Sequence, residues 1–223
     1  MNKDYSKIFK VENSESNHSK FFPKNIFLMC CGKTGCGKTN LLLNLLLNGK
    51  IFYNDVCIFC PTIYQEKYHS LQNLYKEAKI ESQFFRDDQD IPDPESFDPS
   101  QTHIMVFDDV MNKKQNKIVD YFCQGRHNNF NVFYLAQSLY KTQKHGIRDN
   151  CNMFILFKQD KKTLKSFYDS HVFGDMDFTE FEEFCHKAWS KDFGYVVINL
   201  WSKPAEIKYI DSYEKIYIPQ NYI

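Results

Sequence analysis

Gly32-Lys33-Thr34-Gly35-Cys36-Gly37-Lys38-Thr39 is the densest run of chemistry-bearing residues in the chain. Its glycines let the backbone curl until several N–H groups face one point, and a helix starting behind them adds partial positive charge. Together such groups hold phosphate oxygens. The run fits the P-loop pattern G-x-x-x-x-G-K-[ST] without mismatch. In that pattern Lys38 reaches the β- and γ-phosphates, and the Thr39 hydroxyl faces Mg2+. The motif has meaning only between a strand and a helix. Residues 26–31 form an apolar run before it, and residues 41–47 are leucine-rich after it. The chain is therefore expected to bind a nucleoside triphosphate with Mg2+ along residues 32–39.

A second constellation is Ile104-Met105-Val106-Phe107-Asp108-Asp109, four apolar residues of a buried strand followed by two carboxylates. In open α/β sheets ligands sit at that end of the strand. Asp108 is expected to hold Mg2+, usually through water, and Asp109 to orient or deprotonate the attacking water. An aspartate is one methylene shorter than the glutamate many such enzymes use there. A pair of turn aspartates is the plainer alternative, and the P-loop upstream weighs against it. Gln137 ends the next strand, where its amide can lie between the carboxylates and the γ-phosphate or simply cap the strand. Arg126, in Gly125-Arg126-His127-Asn128, and Arg148, in Gly146-Ile147-Arg148-Asp149-Asn150, compete for one role. A guanidinium spread over the γ-phosphate stabilises charge developing during transfer, and a neighbouring subunit can supply it; a surface ion pair is the alternative for either. His127 reads as a turn or interface residue. Lys113, Lys114 and Lys117, and again Lys158, Lys161, Lys162 and Lys165, could face a nucleic-acid backbone, a solvated helix face being the simpler reading.

The elements that position these groups follow from length and pattern. A chain of 223 residues with 21 Phe and 14 Tyr can bury a substantial single core. Its 28 basic and 28 acidic side chains cancel, so any polyanion must be gripped by local patches. No apolar run is long enough to span a membrane and no signal peptide is legible, which points to a reducing cell interior. Of the eight cysteines, Cys57 and Cys60 form a lone CxxC inside a buried strand, read as core and not as zinc or redox chemistry. Residues 1–20 are expected to be a mobile arm before a domain at 21–223. Beyond them apolar runs alternate with helical stretches, predicting an α/β fold with a mainly parallel central sheet covered by helices on both faces. Strands are expected at 26–31, 56–60, 103–107, 131–136, 152–157, 195–201 and 207–210. Helices are expected after the P-loop and at 65–78, 112–124, 161–168 and 178–189, and residues 86–100, with Pro92, Pro94 and Pro99, form a surface connection.

Taken in order, these pieces resemble the viral genome-packaging ATPases of the FtsK–HerA superfamily, the poxvirus-type group found also in virophages and Maverick (Polinton) transposons. The resemblance spans residues 25–201. It rests less on the widely shared P-loop than on the ordered set Val106-Phe107-Asp108-Asp109, Gly125-Arg126-His127-Asn128, Leu135-Ala136-Gln137-Ser138, Arg148-Asp149-Asn150 and Phe154-Ile155-Leu156-Phe157-Lys158. It implies a further strand between the P-loop strand and the Asp108 strand. It also implies homo-oligomeric rings, hexamers or pentamers, that pull double-stranded DNA into a preformed capsid. Lys38, Thr39, Asp108, Asp109 and Gln137 would take the roles given above, with Arg126 the first choice for the finger arginine and Arg148 the second.

Three rival readings share parts of this pattern. A helicase or translocase working in replication shares the motor core. A nucleotide-binding structural protein would have lost hydrolysis, against which an intact Lys38, Asp108 and Asp109 speak. A GTPase switch finds a faint N-K-x-D in Phe157-Lys158-Gln159-Asp160, but Phe157 replaces the Asn, and Asp109-Val110-Met111 follows Asp108 where D-x-x-G needs glycine.

Overall fold

The computed structural model describes residues 18–223. Residues 1–17 of the expected arm lie outside the described residues, and just beyond them the Ser19 N–H donates to the Lys50 carbonyl at 2.9 Å. The elements run β1 (Phe27–Cys31), α1 (Lys38–Leu47), β2 (Asp55–Phe59), α2 (Glu66–Ala78), β3 (Glu81–Phe85), β4 (His103–Asp108), α3 (Asn116–Gln124), β5 (Phe130–Ala136), β6 (Met153–Phe157), α4 (Lys161–His171), α5 (Phe178–Trp189), β7 (Tyr195–Asn199), β8 (Tyr209–Asp211) and β9 (Lys215–Tyr217). The described strands form one sheet in the order β3-β2-β4-β5-β1-β6-β7-β8-β9. From β3 to β6 every pairing is parallel, and β7, β8 and β9 add antiparallel. The expected fold class is what forms, with β5 as the further strand between β1 and β4.

Because successive side chains on a strand point to opposite faces, the central strands feed two cores. Met29, Phe59, Met105, Phe107, Tyr134 and Phe154 meet Tyr121 and Phe122 of α3, Phe167 of α4 and Phe181 of α5. Leu28, Ile58, Val106, Leu135 and Ile155 meet Leu42, Leu45 and Leu46 of α1 and Leu71 and Tyr75 of α2. Both faces are covered, so these strands read as continuous apolar runs. The polar residues opening β5 and β6 act as clamps: Asn131 Oδ1 accepts from Ile26 N–H and Asn152 Oδ1 from Phe27 N–H, each at 2.8 Å.

Two strands lie where no apolar run predicts them. β3, Glu-Ser-Gln-Phe-Phe, is an edge strand left half open to water, and β9 is a three-residue edge strand. Helix α3 begins at Asn116 instead of Asn112 because the Gln115 side chain donates to the carbonyls of Val110 and Lys113 and holds that segment as a turn.

The start of β4 is fixed by a buried pair. His103 Nδ1 lies 2.6 Å from Asp55 Oδ2 and Nε2 lies 2.8 Å from the Asp98 carbonyl. A carboxylate and a carbonyl are both acceptors, an arrangement that favours the ring with both nitrogens protonated. Burial alone would lower the His103 pKa, but the bonds to Asp55 and to the Asp98 carbonyl outweigh it and raise the pKa above the usual histidine value. A pKa raised in the folded state stabilises fully below the unfolded value near 6.5 and loses its effect as pH climbs through the folded value. The stability advantage of the native chain over His103→Gln in urea unfolding should therefore be greatest below about pH 6.5 and shrink as pH rises. An advantage that grows with pH is the contrary result.

Candidate active site

Parallel pairing sets three strand ends level. Cys31 of β1 is in register with Ala136 of β5, and Leu135 of β5 with Asp108 of β4. The P-loop leaving β1, Gln137 leaving β5 and the carboxylates leaving β4 are thereby delivered to one end of the sheet. They line a cleft of about 250 Å³ to which Thr34, Gly35, Gly37, Lys38, Thr39, Asp108, Asp109 and Gln137 all contribute.

Gly35 and Gly37 take φ of 81° and 109°, the left-handed region that only glycine enters without cost. Gly37 is the N-cap of α1 and brings no side chain to the first N–H groups of that helix. Gly32 is required by space, since a Cβ there would lie 2.6 Å from Cys36 Sγ and 2.7 Å from Phe157 Cβ. Lys33, Thr34 and Gly35 are exposed and Cys36 is half-buried. Burial raises the Cys36 thiol pKa, so it stands as a neutral loop residue. Lys38 Nζ donates to the carbonyls of Gly32 at 2.7 Å and Lys33 at 3.0 Å, which folds the ammonium into the loop.

Asp108 is the last residue of β4 and only 8% exposed. Its Oδ2 accepts from Thr39 Oγ1 at 3.1 Å and from the Tyr68 hydroxyl at 2.5 Å. Burial pushes the Asp108 carboxyl above the usual carboxylate range, and the bonds from Tyr68 and Thr39 pull it partly back. Asp109 breaks from the strand with φ 57°, uncommon for a residue carrying a side chain. Its Oδ1 accepts from Gln137 Nε2 at 3.1 Å. Thr39 and Asp108 form an all-oxygen donor pair at the foot of α1, which suits a hard divalent cation such as Mg2+.

The five residues Lys38, Thr39, Asp108, Asp109 and Gln137 thus come together, and the two arginines do not join them. Arg126 is exposed in the turn before β5, with its guanidinium 4.9 Å from the ring of Phe27 at the start of β1. A strand the length of β4, about 17 Å, separates that end of the sheet from the cleft. Arg148 precedes β6, and its guanidinium lies 4.7 Å over the ring of Tyr140, three residues beyond Gln137, with a buried Nε that has no hydrogen-bond partner among the described residues. Among the lysines, Lys117 pairs with Asp93, Lys161 with Glu182 and Lys165 with Asp169. Gln159 donates to the carbonyls of Cys31 and Phe157, and Asp160 caps α4 through Thr163, so neither is free to read a guanine. Cys57 and Cys60 are buried. Among the described residues no group of three or more His, Cys, Asp or Glu side chains could hold a metal ion, and no helix is long and apolar enough to cross a membrane.

Two contributors escape sequence reading. Tyr68 looks like one more aromatic on the apolar face of α2, yet its hydroxyl ends on Asp108. Phe193, in the turn between α5 and β7, reaches the rim of the cleft.

Fold and cleft define the chain as a P-loop NTPase of the kind with a further strand between the P-loop and Asp108 strands. It belongs to the poxvirus A32 protein family, whose model matches residues 13–172, and the resemblance to viral genome-packaging ATPases is borne out. Among solved structures it is similar to the genome packaging NTPase B204 of Sulfolobus turreted icosahedral virus 2 in complex with sulfate. The TM-score is 0.58 at 12% identity, over 89% of this chain and 100% of that one. The structure of B204, the DNA-packaging ATPase of Sulfolobus turreted icosahedral virus, matches with TM-score 0.55 at 12% identity, over 80% and 93%. The B204 NTPase with AMPPCP matches with TM-score 0.52 at 11% identity, over 80% and 94%. At such identities the likeness is one of fold. No curated protein sequence matches the chain.

The Tyr68–Asp108 bond is a testable coupling. A hydrogen bond to a buried carboxylate is worth about 1.5–3 kcal/mol, so Tyr68→Phe should lower unfolding stability by that amount. The loss should largely vanish when the same change is made in an Asp108→Ala background. Equal losses in both backgrounds would show that the hydroxyl does not act through Asp108.

Proposed function

We propose that this chain is an ATP- and Mg2+-dependent motor that moves double-stranded DNA into the capsid of a virus or virus-like transposon. In this reading it works as a homo-oligomeric ring, hexamer or pentamer, with hydrolysis at the seams between copies. The observation that carries the reading is the division of the site. Lys38, Thr39, Asp108, Asp109 and Gln137 share one cleft, while Arg126 stands exposed at the far end of the same sheet. Membership of the poxvirus A32 family supports it, as does a fold that covers the whole of B204, a genome packaging NTPase.

Phosphoryl transfer asks little covalent chemistry of a protein and much positioning. The N–H groups of residues 32–39 would cradle the phosphates, and Lys38 would turn from its loop carbonyls to the β- and γ-oxygens. Thr39 and Asp108 would hold Mg2+, which supplies charge neutralisation on those oxygens. Asp109, held at one oxygen by Gln137, has its other oxygen free to take the proton of the attacking water. Gln137 would register whether the γ-phosphate is present. Arg126 cannot reach its own cleft across the strands, so a finger role requires the cleft of the next copy, and Arg148 is second because its guanidinium is packed on Tyr140.

Measuring the ATPase rate with and without duplex DNA, beside the particle mass, tests the whole proposal. Stimulation by DNA in a ring-sized particle is expected, and a DNA-indifferent, concentration-independent rate from monomers would overturn it. Lys38→Ala should abolish ATP binding. Asp109→Asn should keep binding and lose roughly 10²–10⁴-fold in turnover; normal turnover would remove Asp109 as the base. Arg126→Ala should lose about 10³-fold or more, and mixing with Lys38→Ala subunits should restore part of the rate, because each variant supplies what the other lacks. No recovery at any ratio would exclude a finger acting between copies.

A further inference from the structure

Phe193 stands out as a bulky apolar residue held in the open. It is 68% exposed, and its φ of 57° lies in the left-handed region, a genuine outlier for a bulky side chain. Strain of this kind gathers at ligand clamps, where the surrounding structure enforces it. Here the enforcement is visible on both sides. Lys191 is pinned by Asp211 at 3.1 Å and Glu214 at 2.9 Å. Gly194 donates to the Lys191 carbonyl at 3.0 Å, and it is packed so tightly that a Cβ would lie 1.9 Å from the Ala188 carbonyl oxygen. Between these anchors the Phe193 ring projects onto the rim of the cleft beside the P-loop. A Cβ on Gly37 would lie 3.3 Å from Phe193 Cδ1 and 3.7 Å from Phe157 Cε1. Gly37 is therefore flanked by aromatic rings on the β6–β7 side, away from Asp108, Asp109 and Gln137.

We infer that Phe193 is the stacking platform for the base of the bound nucleotide, a residue that sets base affinity while the P-loop sets phosphate affinity. This rests on the reading of the cleft as a nucleoside-triphosphate site. The polar side of the cleft is committed to phosphates and water, and a flat apolar ring held open to solvent is what a purine face takes up. Stacking tolerates any base, so the ring contributes affinity and leaves the choice among bases to other contacts.

The experiment compares binding of ATP and of inorganic tripolyphosphate, both with Mg2+, to the full chain and to Phe193→Ala, Phe193→Asn and Phe193→Trp. Phe193→Ala is expected to raise the Kd for ATP about 5- to 150-fold and to leave that for tripolyphosphate unchanged. Phe193→Asn, whose side chain tolerates the left-handed region, should lose the same ATP affinity while unfolding no earlier than the native chain. Phe193→Trp should keep ATP affinity, and its added fluorescence over that of the two native tryptophans should be quenched by ATP and not by tripolyphosphate. Equal weakening of both ligands would mean that the ring shapes the P-loop, and no weakening of either would mean that it stacks on nothing; each overturns the inference. Failure of the native chain to bind either ligand would sink the cleft reading itself, and the inference with it.

Discussion

A carboxylate held nearly out of water is the constraint around which the cleft is built. Asp108 ends a strand whose other residues are wholly apolar but for His103, and it lies beneath α1 and α2. A buried charge without partners is costly enough to neutralise itself. Here the hydroxyls of Thr39 and Tyr68 meet one oxygen from two different helices, so the start of α1, the face of α2 and the end of β4 are fixed relative to one another by a single atom. The P-loop inherits its position from that triangle. The buried His103–Asp55 pair holds the opposite end of β4, so the strand that presents the carboxylates is secured at both ends by polar contacts inside an apolar sheet.

The same geometry separates the functions of the two ends of the sheet. Parallel strands with level C-termini deliver loops of different origin to one place, and the insertion of β5 between β1 and β4 brings Gln137 against Asp109. Arg126, in the turn before β5 and against Phe27 at the start of β1, is delivered to the other end. The phosphate-binding groups and the Arg126 guanidinium are thus about a strand length apart within one copy.

Much of this was legible in the residues, and the gaps have physical reasons. Strands buried on both faces must be apolar throughout, so β1, β2, β4, β5 and β6 announced themselves, and the glycine spacing of the P-loop could be read from conformational need. The runs that become β7 and β8 were equally visible, but their antiparallel pairing was not. β3 was not, because half of an edge strand faces water and carries Glu81, Ser82 and Gln83. The start of α3 was misplaced by one side chain, Gln115, bonding to carbonyls that a helix would otherwise have used. In the cleft, motif residues were found because their spacing is local. Tyr68 and Phe193 were missed because their roles depend on where the fold brings α2 and the α5–β7 turn, which no spacing along the chain reveals.

The polar character that hid β3 also protects the molecule. A sheet that does not close on itself ends in two rows of unpaired backbone donors and acceptors, each a template for a foreign strand. Here one border presents Glu81 and Gln83 and the other is only three residues long and begins with Lys215. Neither offers the long, flat, apolar margin on which cross-chain strand pairing begins, so at both borders charge and brevity work against the addition of a foreign strand.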